Sequence, residues 1–329
     1  RDRAGKKPFY YYKNNKMVFL ASELKTMTES IRTSINPVNI NFFLRAGFFY
    51  KSQTPYENIH ELPSGSYGWL DVTNLKIEIN KWWDISKLYR LEKLTITEND
   101  ALEKIDYALK KSIKRRLSSS DLEVGSFLSG GIDSGIISAI ASKYNNNLKT
   151  FTVSFDGQYD ESKLSDLVAN KYELNHRTLK IDYNNLSHEI EKILCNYGEP
   201  FSDSSAIPSY YICKEAKKYL TVIINGDGGD ELFGGYRRYV PYKYYNFLKS
   251  DSYIKFILSL YAKLAPTSQN KMSINSFLHR LASLSSKKSV VETYLSSTTD
   301  IFEGHLNYFE DENLGFDQIS NDINQSIVK

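Results

Sequence analysis

The stretch Ser129-Gly130-Gly131-Ile132-Asp133-Ser134 puts glycines, hydroxyls and a carboxylate into six residues. It follows the apolar run 122–128 and opens a periodic stretch through Ile136, Ile137, Ile140 and Tyr144. That pattern is strand, glycine-rich turn, helix. Glycine lets a backbone pass close to a ligand, and a helix start aims free N–H groups and its positive dipole end at the occupant. A phosphate chain suits such a place, and serine hydroxyls can donate to its oxygens. No Lys follows the glycines, so this is not the loop that handles a γ-phosphate. Asp133 would repel phosphate unless a cation lies between them, which predicts Mg²⁺. The chemistry expected is a nucleotide whose pyrophosphate is held and released. An ordinary glycine-rich turn is the competing reading.

A second stretch, Asn225-Gly226-Asp227-Gly228-Gly229-Asp230-Glu231-Leu232-Phe233-Gly234-Gly235-Tyr236, follows the apolar run 220–224. Its glycine content costs too much backbone entropy to be incidental. Its three carboxylates, Asp227, Asp230 and Glu231, repel one another unless cations or protons relieve them. The alternative is a solvated acidic turn.

These turns need elements to hold them. Thr97-Glu98-Asn99-Asp100 has capping-box form and opens a helix with Leu102, Ile105, Leu109, Ile113 and Leu117 on one face. Strands are then expected over 122–128, 150–155, 177–181 and 220–224, and helices over 134–144, 161–172, 184–197 and 206–219. Such alternation predicts right-handed crossovers and a parallel sheet, whose ligands bind at the carboxyl ends of the strands. Both glycine-rich turns lie at such ends. Upstream, 8–20 reads as two strands around the polar turn Lys13-Asn14-Asn15-Lys16. Residues 37–47 read as a helix capped by Asn36 before Pro37. The segment 59–79 reads as strand broken by Pro63, Gly65 and Gly68. The first domain closes near Lys93. Beyond Tyr242 the pattern is helical, with Ser-rich joins such as 283–289.

The length, 329 residues, allows about two domains. No run of eighteen apolar residues occurs, so no membrane span is expected. A net charge of +3 argues against a dedicated nucleic-acid binder. Lys110, Lys111, Lys114, Arg115 and Arg116 read as a solvated helix face. Cys195 and Cys213 lack ligand-like spacing and fit a reducing compartment, the cytoplasm. His60, His176, His188, His279 and His305 are scattered, and no zinc site is expected.

At the two glycine-rich stretches the chain resembles the glutamine-hydrolysing asparagine synthetase family. SGGIDS is similar to the family's pyrophosphate loop SGGxDS, and NGDGGDELFGGY to its signature SGEGSDExFGGY. Arg1 to Tyr10 resembles RDxxGxxPLY, and Ser22-Glu23-Leu24-Lys25 resembles SExK; both belong to the glutaminase half. Pro63-Ser64-Gly65-Ser66 with Trp82-Trp83-Asp84 resembles PPGH…YWD, and Glu199-Pro200-Phe201 with Asp203-Ser204-Ser205 resembles the family's EPF segment. The matches run in order from Arg1 to about Tyr239.

The resemblance implies an α/β protein. Residues 1–93 would be the remnant of an N-terminal glutaminase domain of the Ntn-type α+β class. Residues 94–329 would be a parallel-sheet pyrophosphate-loop domain like those of adenine nucleotide alpha hydrolases, incomplete at its far end. It implies ATP-dependent amidation of aspartate through β-aspartyl-AMP, with AMP and pyrophosphate released. Nitrogen would come from glutamine in the full-length protein. ATP and Mg²⁺ are the implied cofactors. The partners are aspartate, ammonia or glutamine, with no nucleic acid and no membrane, and the family allows a homodimer. Ser129, Gly130, Gly131 and Ser134 would cradle pyrophosphate, and Asp133 and Asp230 would hold Mg²⁺. Leu128, Val153 and Gly226 would line the adenosine side, Val153 having an equal claim as core. Ser204, Ser205 and Glu231 would serve the substrate, although the two serines could equally cap the following helix. Asp227 and Asp230 would be catalytic.

The chain departs from the family pattern in several places. Asp227 stands where the family has Glu, and Ile207 lies near a family Arg. The later ExRxPFLD stretch and its companion Lys are not found. The glutaminase nucleophile is an N-terminal Cys, and no Cys precedes Cys195. The chain is therefore expected to be a piece that uses free ammonium only. These departures keep open a related ligase amidating another carboxylate, in a surface-polysaccharide or secondary-metabolite pathway. An enzyme adenylating tRNA bases and a non-catalytic scaffold are weaker alternatives, the first for want of a nucleic-acid module, the second because the carboxylates are intact.

Overall fold

A computed structural model describes residues 1–154, 160–181, 186–203, 205–236, 239, 252–266, 273–286 and 293. The chain divides into two units. One comprises Arg1–Tyr89, Leu194–Ser202 and Tyr236–Lys329, the other Arg90–Ile193 and Asp203–Gly235.

In the first unit, β1 (Tyr10–Lys13) and β2 (Val18–Ala21) form an antiparallel hairpin. Its turn closes because Asn14 Oδ1 accepts from Lys16 N (2.8 Å) and Met17 N (2.9 Å). After α1 (Leu24–Ser30) comes α2 (Pro37–Ala46), whose first turn is capped by Asn36 Oδ1 accepting from Asn39 N (3.1 Å). Proline at the first position needs no N–H partner, and Gly47 ends the helix with φ +79°. β3 (Ile59–Glu61) joins β1 to give the order β2-β1-β3. Tyr12, Leu24, Met27, Ile31 and Ile59 make the core beneath that sheet. β4 (Ser66–Asp71) and β5 (Lys76–Lys81) form a separate hairpin, followed by α3 (Ile85–Tyr89). Gly68 does not break this strand; it lies inside β4, paired with Ile79. The break comes instead at Asp71, whose carboxylate accepts from Thr73 N, Thr73 Oγ1 and Asn74 Nδ2.

In the second unit, α4 (Glu98–Leu117) starts where Thr97 Oγ1 accepts from Asp100 N (3.2 Å). Only the later half of its apolar stripe is packed: Leu109, Ile113 and Leu117 meet Ile140, Ala141 and Leu148, while Leu102 and Ile105 are exposed. The alternation then runs β6 (Val124–Phe127), α5 (Ile132–Ser142), β7 (Lys149–Ser154), α6 (Ser162–Lys171) and β8 (Asn175–Lys180). It continues with α7 (Leu186–Cys195), α8 (Ala206–Ala216), β9 (Val222–Ile224) and the short α9 (Gly229–Phe233). The sheet is parallel, in the order β8-β7-β6-β9. It is closed by Phe151, Leu179, Ala216 and Leu220 among others. The expected strands and helices are present, with ends shifted by a few residues; Phe155, Asn184 and Asn185 lie outside the described residues.

Strand order reverses between β6 and β9. After β6 the chain steps outward to β7 and β8, then returns to the other side of β6. In open α/β sheets the crevice at such a reversal is where ligands bind. Register brings Ser126 opposite Ile224, so the turns that follow the two strands emerge side by side.

Two further helices, α10 (Ser252–Leu264) and α11 (Ile274–Ser286), pack through Leu258 and Ala282 and belong to the first unit. The expected Ser-rich join begins inside α11. Among the described residues no helix is long and apolar enough to cross a membrane.

Candidate active site

Both glycine-rich turns lie at the sheet's reversal. The first follows β6 and runs into α5, whose N-cap position is Gly131 with no side-chain cap. The opening N–H groups of α5 are therefore not spent on a capping side chain. The serines hold the turn's shape. Ser129 N donates to Ser134 Oγ (3.1 Å), Gly131 N donates to Ser129 Oγ (3.2 Å), and the two hydroxyls share a 2.8 Å bond. Ser134 is buried, and its hydroxyl also reaches the Ser129 and Gly131 carbonyls. Further along α5, Ser138 meets Ser126 of β6 in a buried 2.9 Å hydroxyl pair that ties helix to strand. Gly130 lies against the first turn of α6, facing Leu164 and Glu161.

The second turn is a short helix between two glycine pairs. Gly228 (φ +91°) precedes α9 and Gly234 (φ +67°) ends it, both in the left-handed region that glycine occupies without strain. This helix has no buried residue. The two turns pack on each other. Asp133 Cγ lies 2.6 Å from where a Cβ on Gly229 would stand, and Asp133 Cβ and Ser134 N lie 3.0 Å from the same point on Gly226. The Asp230 carboxylate overlaps the Cβ position of Gly235. Asp227 Oδ2 accepts from Asn225 Nδ2 at 2.6 Å.

The remaining site residues are distributed as follows. Leu128 is wholly buried and its N–H donates to Phe151 O (2.9 Å). Val153 packs with Ile181, Ile193, Tyr211 and Ile207; the residue near the family Arg is thus a half-buried side chain against the core. Ser205 holds the N-cap position of α8, yet its hydroxyl makes no cap bond; its N–H donates to Asp203 Oδ1 (2.8 Å). Ser204 lies outside the described residues. Glu231 is exposed on α9. Sequence reasoning did not single out Gly229 and Gly235, whose signal was glycine doubled where one left-handed residue suffices.

Among the described residues no three His, Cys, Asp or Glu side chains gather as a protein-only metal cage. Mg²⁺ needs none: it is usually held by one or two carboxylates together with substrate phosphates. Asp133 lies against Gly229 and Asp230 against Gly235, and these carboxylates could serve in that way.

Fold and site define an α/β domain with two glycine-rich turns meeting at the reversal of a parallel sheet. Residues 104–316 match the asparagine synthase family model, and residues 1–83 match the glutamine amidotransferase domain. The chain belongs to the asparagine synthase family. It is 32% identical over 245 residues to asparagine synthetase (glutamine-hydrolyzing) 1 of Bacillus subtilis, covering 73% of this chain and 37% of that protein. It is 26% identical over 254 residues to amidase chyE of Penicillium rubens, covering 72% and 37%. The chain thus spans well under half the length of these relatives. Among solved structures it is similar to the NH3-dependent NAD synthetase of Campylobacter jejuni, with 16% identity, a TM-score of 0.31 and coverage of 57% and 97%.

Proposed function

We propose that the chain carries the ligase site of an asparagine synthetase, converting aspartate to asparagine with ATP, with residues 1–93 and 94–329 as the amidotransferase and synthetase portions. The single observation that supports this most is the packing of Asp133 onto Gly229. It joins two acid-bearing glycine turns at the crevice of a parallel sheet.

A carboxylate is a poor acyl donor because its leaving group would be oxide. Attack of the aspartate side-chain oxygen on the α-phosphorus of ATP breaks the α–β bond and releases pyrophosphate. Ammonia then attacks the β-aspartyl carbonyl and AMP leaves. The α5 N-terminus and the Ser129–Gly131 backbone bind and orient the departing pyrophosphate. The Ser129–Ser134 hydroxyl pair holds that backbone in place beforehand. Asp133 and Asp230 would hold Mg²⁺, which neutralises phosphate charge. The uncommitted hydroxyl of Ser205, with Ser204 and Glu231, would meet the aspartate. Asp227 would orient the incoming amine on a shorter stem than Glu. Leu128, Val153 and Gly226 would line the adenosine side.

The test is pyrophosphate release by the 329-residue chain with ATP, Mg²⁺ and ammonium across a panel of acids. Aspartate is expected to give the highest rate. A rate independent of the added acid would overturn the reading, and a clear preference for another carboxylate would replace aspartate with it.

A further inference from the structure

Two Gly-Gly pairs flank α9, and the pairs are built alike. The first member of each, Gly228 and Gly234, has positive φ and must be glycine for its backbone. The second member of each, Gly229 and Gly235, does not. Gly229 sits at the first helical position, where alanine is the better helix former. Local backbone chemistry therefore gives no reason for glycine at 229 or 235.

Side-chain space does. The atoms nearest the missing Cβ of Gly229 are Asp133 Cγ (2.6 Å), Oδ2 (2.8 Å) and Oδ1 (3.0 Å). The nearest to that of Gly235 is Asp230 Oδ1. Each of the two carboxylates assigned to Mg²⁺ thus occupies the volume a side chain would take on the second glycine of a pair. We infer that Gly229 and Gly235 are positioning residues that seat the carboxylates of Asp133 and Asp230. This inference rests on the proposed Mg²⁺–ATP reading.

Around the seat at 229 the nearest atoms all belong to the end of the Asp133 side chain, while at 235 the Asp230 Cα also stands 3.3 Å away behind its carboxylate. A methyl group added at 229 can be relieved by rotating Asp133, which leaves the fold intact and moves the ligand. Structure and positioning therefore predict different results for Gly229→Ala. The measurement is Mn²⁺ binding to the 329-residue chain with α,β-methylene ATP, followed by electron paramagnetic resonance, alongside thermal melts. Gly229→Ala should keep or raise the melting temperature yet weaken Mn²⁺ binding roughly tenfold or more, the scale on which groups behind metal ligands act. Asp133→Asn should weaken it comparably, and the double variant no further, because the glycine acts only through the aspartate. Gly235→Ala and Asp230→Asn form the second such pair.

Wild-type Mn²⁺ binding in both Gly229→Ala and Gly235→Ala, with weakened binding in the two Asn variants, would overturn the inference and leave the metal reading standing. Unchanged binding in both Asn variants would overturn both. Additive losses in the double variants would show the glycines acting by another route and would also overturn it.

Discussion

Glu199 is a residue whose environment works against its charge. It lies in the segment 194–202 that packs with the first unit. There Tyr56 Oη donates to the Gly198 carbonyl (3.2 Å), Ser202 Oγ donates to the Gly47 carbonyl (2.7 Å), and the Tyr197 and Phe201 rings stack at 4.2 Å. Burial first, and the negative charge of Glu61 second, push its carboxyl up from the usual 4.5 to about 7. Tyr10 and Tyr56 share the surroundings, and both hydroxyls are raised in turn. Arg1 pairs with Glu61 at 2.6 Å. The folded chain thus holds the Glu199 proton more tightly than the unfolded chain does. The contribution of Glu199 to stability is greatest below pH 4.5, where both states are protonated, and falls as pH rises toward 7. The loss amounts to roughly 3 kcal/mol at most. Glu199→Gln is expected to melt with the wild type at pH 4 and above it at pH 8. Coincident melting curves at pH 8 would remove this account.

At the scale of elements, α5 matters because its first turn would hold the pyrophosphate in the proposed reading, and a polar contact ties it to the sheet. Ser126 and Ser138 are wholly buried, and their hydroxyls are 2.9 Å apart. A net intramolecular hydrogen bond is worth about 1 kcal/mol, and an orphaned partner costs more than the loss of both. Ser138→Ala is expected to lower stability by about 1 kcal/mol. Ser126→Ala/Ser138→Ala should cost less than the two single changes together. Denaturant titration reads both; a Ser138→Ala midpoint equal to wild type would mean that apolar packing alone seats the helix.

For the whole molecule, the question is which bond of ATP is cut. In the proposed reading, where a glycine turn without a following Lys holds pyrophosphate, it is the α–β bond. Turnover with aspartate and ammonium should therefore yield AMP and pyrophosphate in equal amounts by phosphorus NMR. ADP as the stoichiometric product would exclude the acyl-adenylate.

Much of this was legible in residue order, because strands, helices and turns answer to local rules. The alternation from Val124 to Ile224 follows from apolar runs of strand length set between periodic stretches. The two turns follow from glycine and acid content. The turn at 71–75 was missed because it is closed by one carboxylate accepting from three donors, with no Gly or Pro to mark it. The stripe at Leu102 and Ile105 misled for the opposite reason: periodicity says which face is apolar, not whether anything covers it. What only tertiary structure decided is proximity. Ser129 and Asn225 stand 96 positions apart, and nothing in either turn says that β9 returns beside β6 rather than beyond β8. That choice comes from how the helices pack on the sheet. With it, Asp133 came to rest on Gly229, and a glycine that looked redundant in the chain became the floor beneath a carboxylate.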